Sequence, residues 1–149
     1  MAIEFFCEDV DKPRVKYIAL KKWIKDVVES HEKKVGKLAY VFCSDDYLLD
    51  INKEYLKHDY YTDVITFDNT EGNKISGEIY ISVDRVAENA KIYSTESTEI
   101  FRVIIHAVLH LLGYDDKTPE DQKEMRAAED RCLAMPGFIN CAWLKDIKQ

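Results

Sequence analysis

Glu99-Ile100-Phe101-Arg102-Val103-Ile104-Ile105-His106-Ala107-Val108-Leu109-His110-Leu111-Leu112-Gly113-Tyr114-Asp115-Asp116 is the stretch around which the rest of the chain organises. A helix read through Ile100, Phe101, Val103, Ile104, Ile105, Val108, Leu109, Leu111 and Leu112 is apolar nearly all round, which is the pattern of a buried helix rather than a surface one. His106 and His110 are four residues apart and share a face, so their imidazoles can converge on one point. Gly113 can take the left-handed conformation that stops a helix. The chain then turns, and Asp116 can come back to the same point. Two imidazole nitrogens and one carboxylate oxygen leave a fourth position open, the form of a catalytic zinc site rather than a structural one.

A histidine pair at this spacing can also decorate a surface or satisfy a core hydrogen bond. A buried helix must find a partner for each imidazole, however, because unpaired buried polar groups are costly, and a metal serves both at once. Asp115 is the rival carboxylate. Adjacent residues leaving a helix point in different directions, so one of the two ligates; the spacing selects Asp116 and leaves Asp115 as a turn residue or an acceptor behind the ligands. Zinc peptidases of the H-E-x-x-H type carry a glutamate base after the first histidine. Here that position is Ala107. The pattern therefore disfavours proteolysis and favours a metal-activated water acting on another electrophile, with phosphodiesters foremost.

Working outward, Ala2 to Phe6 reads as a strand, and Pro13 suits the first turn of a helix whose apolar stripe is Val15, Ile18, Ala19, Trp23, Val27 and Val28, ending near Ser30. Leu38 to Cys43 reads as a buried strand and Ser44 as the cap of a helix carrying Leu48, Leu49, Ile51, Asn52 and Tyr55. Val64 to Phe67 and Gly77 to Ser82 form a hairpin about the turn Glu71-Gly72-Asn73. A short helix follows from Val83, then the histidine helix from about Glu99. Thr118-Pro119 starts a last helix that runs to about Leu133 and is ended by Pro136-Gly137. The order β α β α β β α α α predicts an α+β fold: one domain over residues 1–149, a small mixed sheet of about four strands, five or so helices, and the metal site at the end of a central helix.

Composition sets bounds. The 149 residues are 46% hydrophobic and 33% charged, as in an ordinary globular chain. The apolar run near residues 100 to 112 is too short, and with Arg102 and two histidines too polar, to span a membrane. An N-terminus with early acids and no basic region predicts no secretory signal and a cytoplasmic protein. Cys7, Cys43, Cys132 and Cys141 lack C-x-x-C spacing and are expected as reduced core thiols. The net charge of −7 argues against a generic nucleic-acid binder. Residues 1–60 carry 11 basic and 12 acidic side chains against 10 and 16 in residues 61–149, so any RNA contact is expected to use the first part.

The histidine stretch resembles the YbeY family signature H-G-x-L-H-L-x-G-Y-D-H. Asn52-Lys53-Glu54-Tyr55-Leu56-Lys57-His58-Asp59-Tyr60-Tyr61-Thr62-Asp63-Val64-Ile65-Thr66-Phe67 resembles the family's N-x-x-Y-R-x-x-D-x-P-T-D-V-L-S-F, Gly77-Glu78-Ile79-Tyr80-Ile81-Ser82 its G-D-I-x-I-S, and Met125 with Glu129 its M-x-x-x-E. The likeness covers roughly residues 48 to 134. It implies a zinc-dependent endoribonuclease specific for single-stranded RNA, acting in maturation of the small-subunit rRNA 3′ end and in ribosome quality control, with the ribosomal small subunit or its proteins as partners. It also implies His106, His110 and Asp116 as the ligands of one zinc ion, Asp116 standing where the family has a third histidine.

Three further departures are Ala107 for Gly, Glu78 for Asp and Leu56 for the Arg expected to meet phosphate. Lys53, Lys57 and His58 surround the vacant arginine position, and Lys53 shares the helix face of Leu56 better than Lys57 does. Arg102, one turn before His106, could reach a phosphate near the metal or pair with Glu99 or Glu78. Thr62, Asp63 and Thr66 could line the cleft or close a loop before a strand. Glu124, Glu129 and Asp130 are expected on a solvated helix face. Two other readings stay open: a zinc hydrolase of another substrate class, and a metal-stabilised ribosome-associated binding factor with little turnover, for which Leu56 is the motive.

Overall fold

Strict alternation of buried side chains, Ile3 and Phe5 on one strand and Leu38, Tyr40 and Phe42 on the next, marks a sheet with one face in the core. A computed structural model describes residues 2–95 and 98–140. Its elements are β1 (Ala2–Cys7), α1 (Tyr17–Ser30), β2 (Lys34–Cys43), α2 (Asp45–Leu56), β3 (Val64–Asp68), β4 (Lys74–Ser82), α3 (Val83–Tyr93), α4 (Glu99–Leu111), α5 (Pro119–Leu133) and α6 (Pro136–Ile139). The sheet order is β1-β2-β4-β3; β1–β2 and β2–β4 pair in parallel, and β3–β4 is an antiparallel hairpin turning at Gly72, whose φ of +60° suits glycine. The predicted α+β fold with a four-stranded mixed sheet is the one observed.

The main core lies between one sheet face and α1, α4 and α5. Trp23, Tyr40, Phe42, Phe101 and Ile104 are almost wholly enclosed in it. Its polar tips are satisfied: the Tyr40 hydroxyl donates to the Ile104 carbonyl at 3.1 Å, and the Trp23 indole N–H to the Cys132 carbonyl at 2.9 Å. Truncating Ile104 to alanine would cost ~2–5 kcal/mol by the usual cavity penalty. A smaller cluster on the opposite face, Cys43, Leu48 and Ile65, is covered by α2. Side-chain caps set three helix starts: Ser44 accepts from the Tyr47 N–H, Ser82 from Arg85 and Thr118 from Asp121, the last with Pro119 at the first helical position.

Four expectations need correction. Helix α1 starts at Tyr17, not at Pro13, because the Pro13 carbonyl is used locally by the Val15 N–H and the Tyr17 hydroxyl. Its buried stripe is Leu20, Trp23, Ile24, Val27 and Val28; Ile18, two residues from Leu20 and so on the opposite face, is 88% exposed. Pro136-Gly137 does not merely end α5 but opens the one-turn α6, which sets Phe138 against Trp23 and Phe101 at centroid distances of 4.7 and 5.3 Å. Cys43 and Cys132 are buried thiols as expected, but Cys7, at the end of edge strand β1, is exposed; Cys141 lies outside the described residues.

Candidate metal centre

Helix α4 is buried along most of its length, and its one open stripe carries both imidazoles. His106 and His110 lie one turn apart with ring centroids 4.6 Å from each other, nearly perpendicular. The helix stops as the sequence requires. Gly113 takes φ +106°, its N–H donates to the His110 carbonyl at 3.0 Å, and the Tyr114 N–H donates to the Leu109 carbonyl at 3.0 Å. This is the Schellman pair of bonds, and a side chain at Gly113 would be strained in that conformation. The reversal returns Asp116, whose Oδ2 lies 3.4 Å from Nε2 of His106 and 3.4 Å from Nε2 of His110.

Behind the ligands, His106 Nδ1 meets Glu129 Oε2 at 2.7 Å and His110 Nδ1 meets the Tyr114 carbonyl at 3.1 Å. An ionised carboxylate and a carbonyl can only accept, so each Nδ1 is the donor. In the neutral ring that leaves the Nε2 lone pair facing Asp116 in both cases. A tetrahedral zinc with bonds of 2.0–2.2 Å has ligand-to-ligand edges of about 3.3–3.6 Å, and the two 3.4 Å separations fit it. Among the described residues, these three form the group whose ligand atoms all lie within 4.8 Å of one another. Burial opposes a charge on His106, but the Glu129 hydrogen bond and the carboxylates of Glu129, Asp116 and Asp63 outweigh it and raise its pKa. Burial likewise favours a neutral Glu129, yet His106 and Arg102 hold it below the usual carboxylate range.

Beside the cluster opens a cleft of about 510 Å³, walled by the two histidines, Asp116, strand β3 and the segment that follows α2. Thr62, Asp63 and Thr66 line it, so the segment before β3 does more than close a loop. Burial raises the pKa of Asp63, partly offset by His106. Leu56, His58 and Tyr60 form the other wall; the His58 and Tyr60 rings are stacked at 5.1 Å and Tyr60 is 56% exposed.

The profile of the family described as Endoribonuclease YbeY matches residues 6–137. The chain belongs to the YbeY family of endoribonucleases. The endoribonuclease YbeY of Parabacteroides distasonis is 49% identical over 136 residues, 91% of this chain and 96% of that protein. The one from Bacteroides fragilis is 46% identical over 136 residues, covering 91% and 98%. A Thermotoga maritima protein solved in solution superposes with a TM-score of 0.60 at 25% identity, over 88% of this chain and 89% of that one. The family is one of metalloenzymes, in keeping with the histidine–aspartate group.

The remaining site candidates are placed as follows. Leu56, at the family's arginine position, ends α2 on the cleft wall and is 40% exposed. Lys53 is exposed, pairs with Asp59 at 3.5 Å and is not among the cleft-lining residues. Arg102 pairs with neither Glu99 nor Glu78, the two structural partners that the sequence suggests for it. It forks to Glu129 and Asp130 at 2.9 Å each, because that stripe of α4 packs on α5. Glu99 instead accepts from the Thr95 hydroxyl and Glu78 from Tyr80. Arg102 still lines a smaller cavity of about 300 Å³ together with Asp63, His106 and Asp116. Asp115 has a turn role, its carboxylate accepting the Asp116 N–H at 3.2 Å.

Glu129 is the residue misjudged from sequence. It is not on a solvated face: it is buried, binding His106 and Arg102 together. The signal was its spacing of four from Met125, which puts it on the buried face of α5. Glu124 is exposed as expected.

Proposed function

We propose that this chain is a single-domain zinc-dependent hydrolase that cuts single-stranded RNA internally, with His106, His110 and Asp116 holding one zinc ion. The observation that carries the reading is the pair of equal Nε2–Oδ2 separations with both Nδ1 atoms already donating, since this gathers three ligand atoms at one point with both Nε2 lone pairs free. Relatives named for RNA cleavage supply the substrate class. When bound, the metal supplies Lewis acidity that makes hydrolysis accessible near neutral pH.

The chain's own groups do the rest. Glu129 and the Tyr114 carbonyl fix the tautomers and orient the rings. Asp63, its pKa raised by burial, is the acid–base group in the cleft, where a carboxyl poised above its usual range can hold or release a proton. His58 and Tyr60 offer ring faces on which unpaired bases stack, which a duplex cannot present. Arg102 supplies positive charge behind the ligands. The Lys53–Asp59 ion pair is exposed and worth about 0–1 kcal/mol, so Lys53 is free to leave Asp59 for a phosphate. The acidic chain and the missing arginine fit an enzyme that relies on the ribosomal small subunit for affinity, acting in rRNA 3′-end maturation and ribosome quality control in the cytoplasm. Among the described residues no helix is long and apolar enough to cross a membrane.

A second reading has support from one observation: among the described residues, no Lys or Arg lines the cleft. It is a ribosome-associated factor whose metal serves structure more than turnover. Incubation of single-stranded rRNA with metal-stripped protein, before and after zinc is restored, decides between them. Zinc-dependent internal cleavage supports the enzyme. Stoichiometric zinc and particle binding without cleavage supports the binding factor.

A further inference from the structure

His106 and Asp116 face more than the cleft walled by Leu56, His58 and Tyr60. The same two ligands also line a groove of about 460 Å³ between the end of α3 and α5, and the smaller cavity of about 300 Å³. Asp63 and Val64 are common to the cleft and the small cavity, and Glu99, Arg126 and Glu129 to the small cavity and the groove. Shared walls make one trough, with metal ligands at its middle rather than at its end.

The groove has its own chemistry. Tyr93, the last residue of α3, lines it and is 64% exposed. Gln122 and Arg126, four residues apart on α5, share a face. The Gln122 Nε2 donates to the Asp116 carbonyl at 3.1 Å and so ties α5 to the ligand turn. Among the described residues, Arg102 and Arg126 are the basic side chains that line the cleft, the groove and the small cavity. Arg102 is committed to Glu129 and Asp130. The Arg126 side chain is 60% exposed, and its Nη1 lies 3.9 Å from Glu129 Oε1, beyond hydrogen-bond reach. Glu129 already binds His106 and Arg102, so Arg126 is not needed there. Glu99, the other carboxylate of the groove, accepts from the Thr95 hydroxyl at 2.9 Å.

We propose that the groove is a second nucleotide subsite: the RNA strand crosses the metal ligands from the His58–Tyr60 wall, and the nucleotide beyond the scissile bond enters the groove, its phosphate on Arg126 and its base on the Tyr93 ring. The subsite rests on the reading of the chain as an RNA-cutting enzyme and adds a path for the strand. An internal bond has chain on both sides, which a trough running past the ligands admits and a blind cleft does not. A guanidinium forks to two phosphate oxygens, and an exposed ring stacks an unpaired base whatever its sequence. The cation absent at position 56 is thus present on the far side of the ligands.

The test measures binding of a short fluorescent 2′-O-methyl oligouridylate, checked to be intact afterwards, to the zinc-loaded full chain by anisotropy across a salt series. Cleavage of the unmodified RNA is measured in parallel. Arg126→Gln should weaken binding and make the log–log salt dependence shallower by about 0.7, the share of one phosphate contact on a single strand, while Arg126→Lys keeps the slope. Lys123→Gln removes the same charge from an exposed position of α5 outside the groove and should change neither slope nor cleavage. Tyr93→Ala should weaken binding roughly tenfold and Tyr93→Phe should not, since the ring is kept. Zinc content should equal that of the parent in every variant. An unchanged slope in Arg126→Gln, an equal loss in Lys123→Gln, or Tyr93→Phe as weak as Tyr93→Ala would overturn the subsite while leaving RNA cleavage standing. Parent protein that neither binds nor cuts single-stranded RNA would overturn the subsite and the RNA-cutting reading together.

Discussion

Replacing Glu129 by glutamine tests whether the metal site depends on the carboxylate behind it. The Glu129 carboxylate serves two donors, His106 Nδ1 at 2.7 Å and Arg102 Nη1 at 2.9 Å, with 7% of its side chain exposed. Glutamine keeps one acceptor and turns the other oxygen into an N–H₂. Whichever way the amide is rotated, one pair of donors must then face each other. A hydrogen bond to a charged group contributes about 1.5–3 kcal/mol, so the metal-free protein should lose stability by that order. Zinc affinity should fall about 10–100-fold, the usual effect of removing a carboxylate behind a ligating histidine. Glu129→Ala should be worse, by roughly 3–5 kcal/mol in stability, since it strips Arg102 of its buried partner and leaves only Asp130. The assay is zinc titration against a chromophoric chelator, paired with urea unfolding of the metal-free form. Wild-type zinc affinity in Glu129→Gln, with the fold intact, would refute the reasoning and leave Glu129 a helix-packing anchor only.

Three further outcomes are expected. Zinc affinity should be flat at high pH and fall up to about tenfold per pH unit once His106 protonates, because Nε2 then has no lone pair; since the His106 pKa is raised, the fall should begin above the ordinary imidazole value in a pH series of titrations. Chelation should lower the melting temperature, because a metal bound only by the native state ties the end of α4 to the Asp116 turn; an unchanged midpoint after proven metal removal would contradict this. At fixed salt, Leu56→Arg should raise cleavage of a single-stranded RNA by returning a cation to the cleft wall, and Lys53→Ala should lower it more than Lys57→Ala; a slower Leu56→Arg with normal metal content would make position 56 a packing site.

The part of this fold written in local chemistry was readable. Ser44, Ser82 and Thr118 mark helix starts because their oxygens replace missing backbone acceptors, and Gly113 marks a stop because its φ is closed to most other residues. The His106–His110–Asp116 cluster was readable for the same reason: helix periodicity and one turn suffice to bring it together. What was not readable depends on which helix packs on which. Arg102 and Glu129 are 27 positions apart, and nothing in either segment says that α4 and α5 lie face to face. Ile18 was misplaced because an apolar residue two positions off a stripe still looks periodic in a short window. Cys7 was misplaced because its strand lies at the sheet edge, a fact of topology rather than of sequence.

Metal content tests the central claim most directly. Wild-type protein, His110→Ala and Asp115→Ala, each purified and dialysed identically, should be compared by elemental analysis. The three-ligand site predicts roughly one zinc per chain in the wild type and in Asp115→Ala, and little in His110→Ala, since two remaining ligands do not hold the ion. Equal metal in wild type and His110→Ala, or its loss from Asp115→Ala with the fold intact, would contradict it.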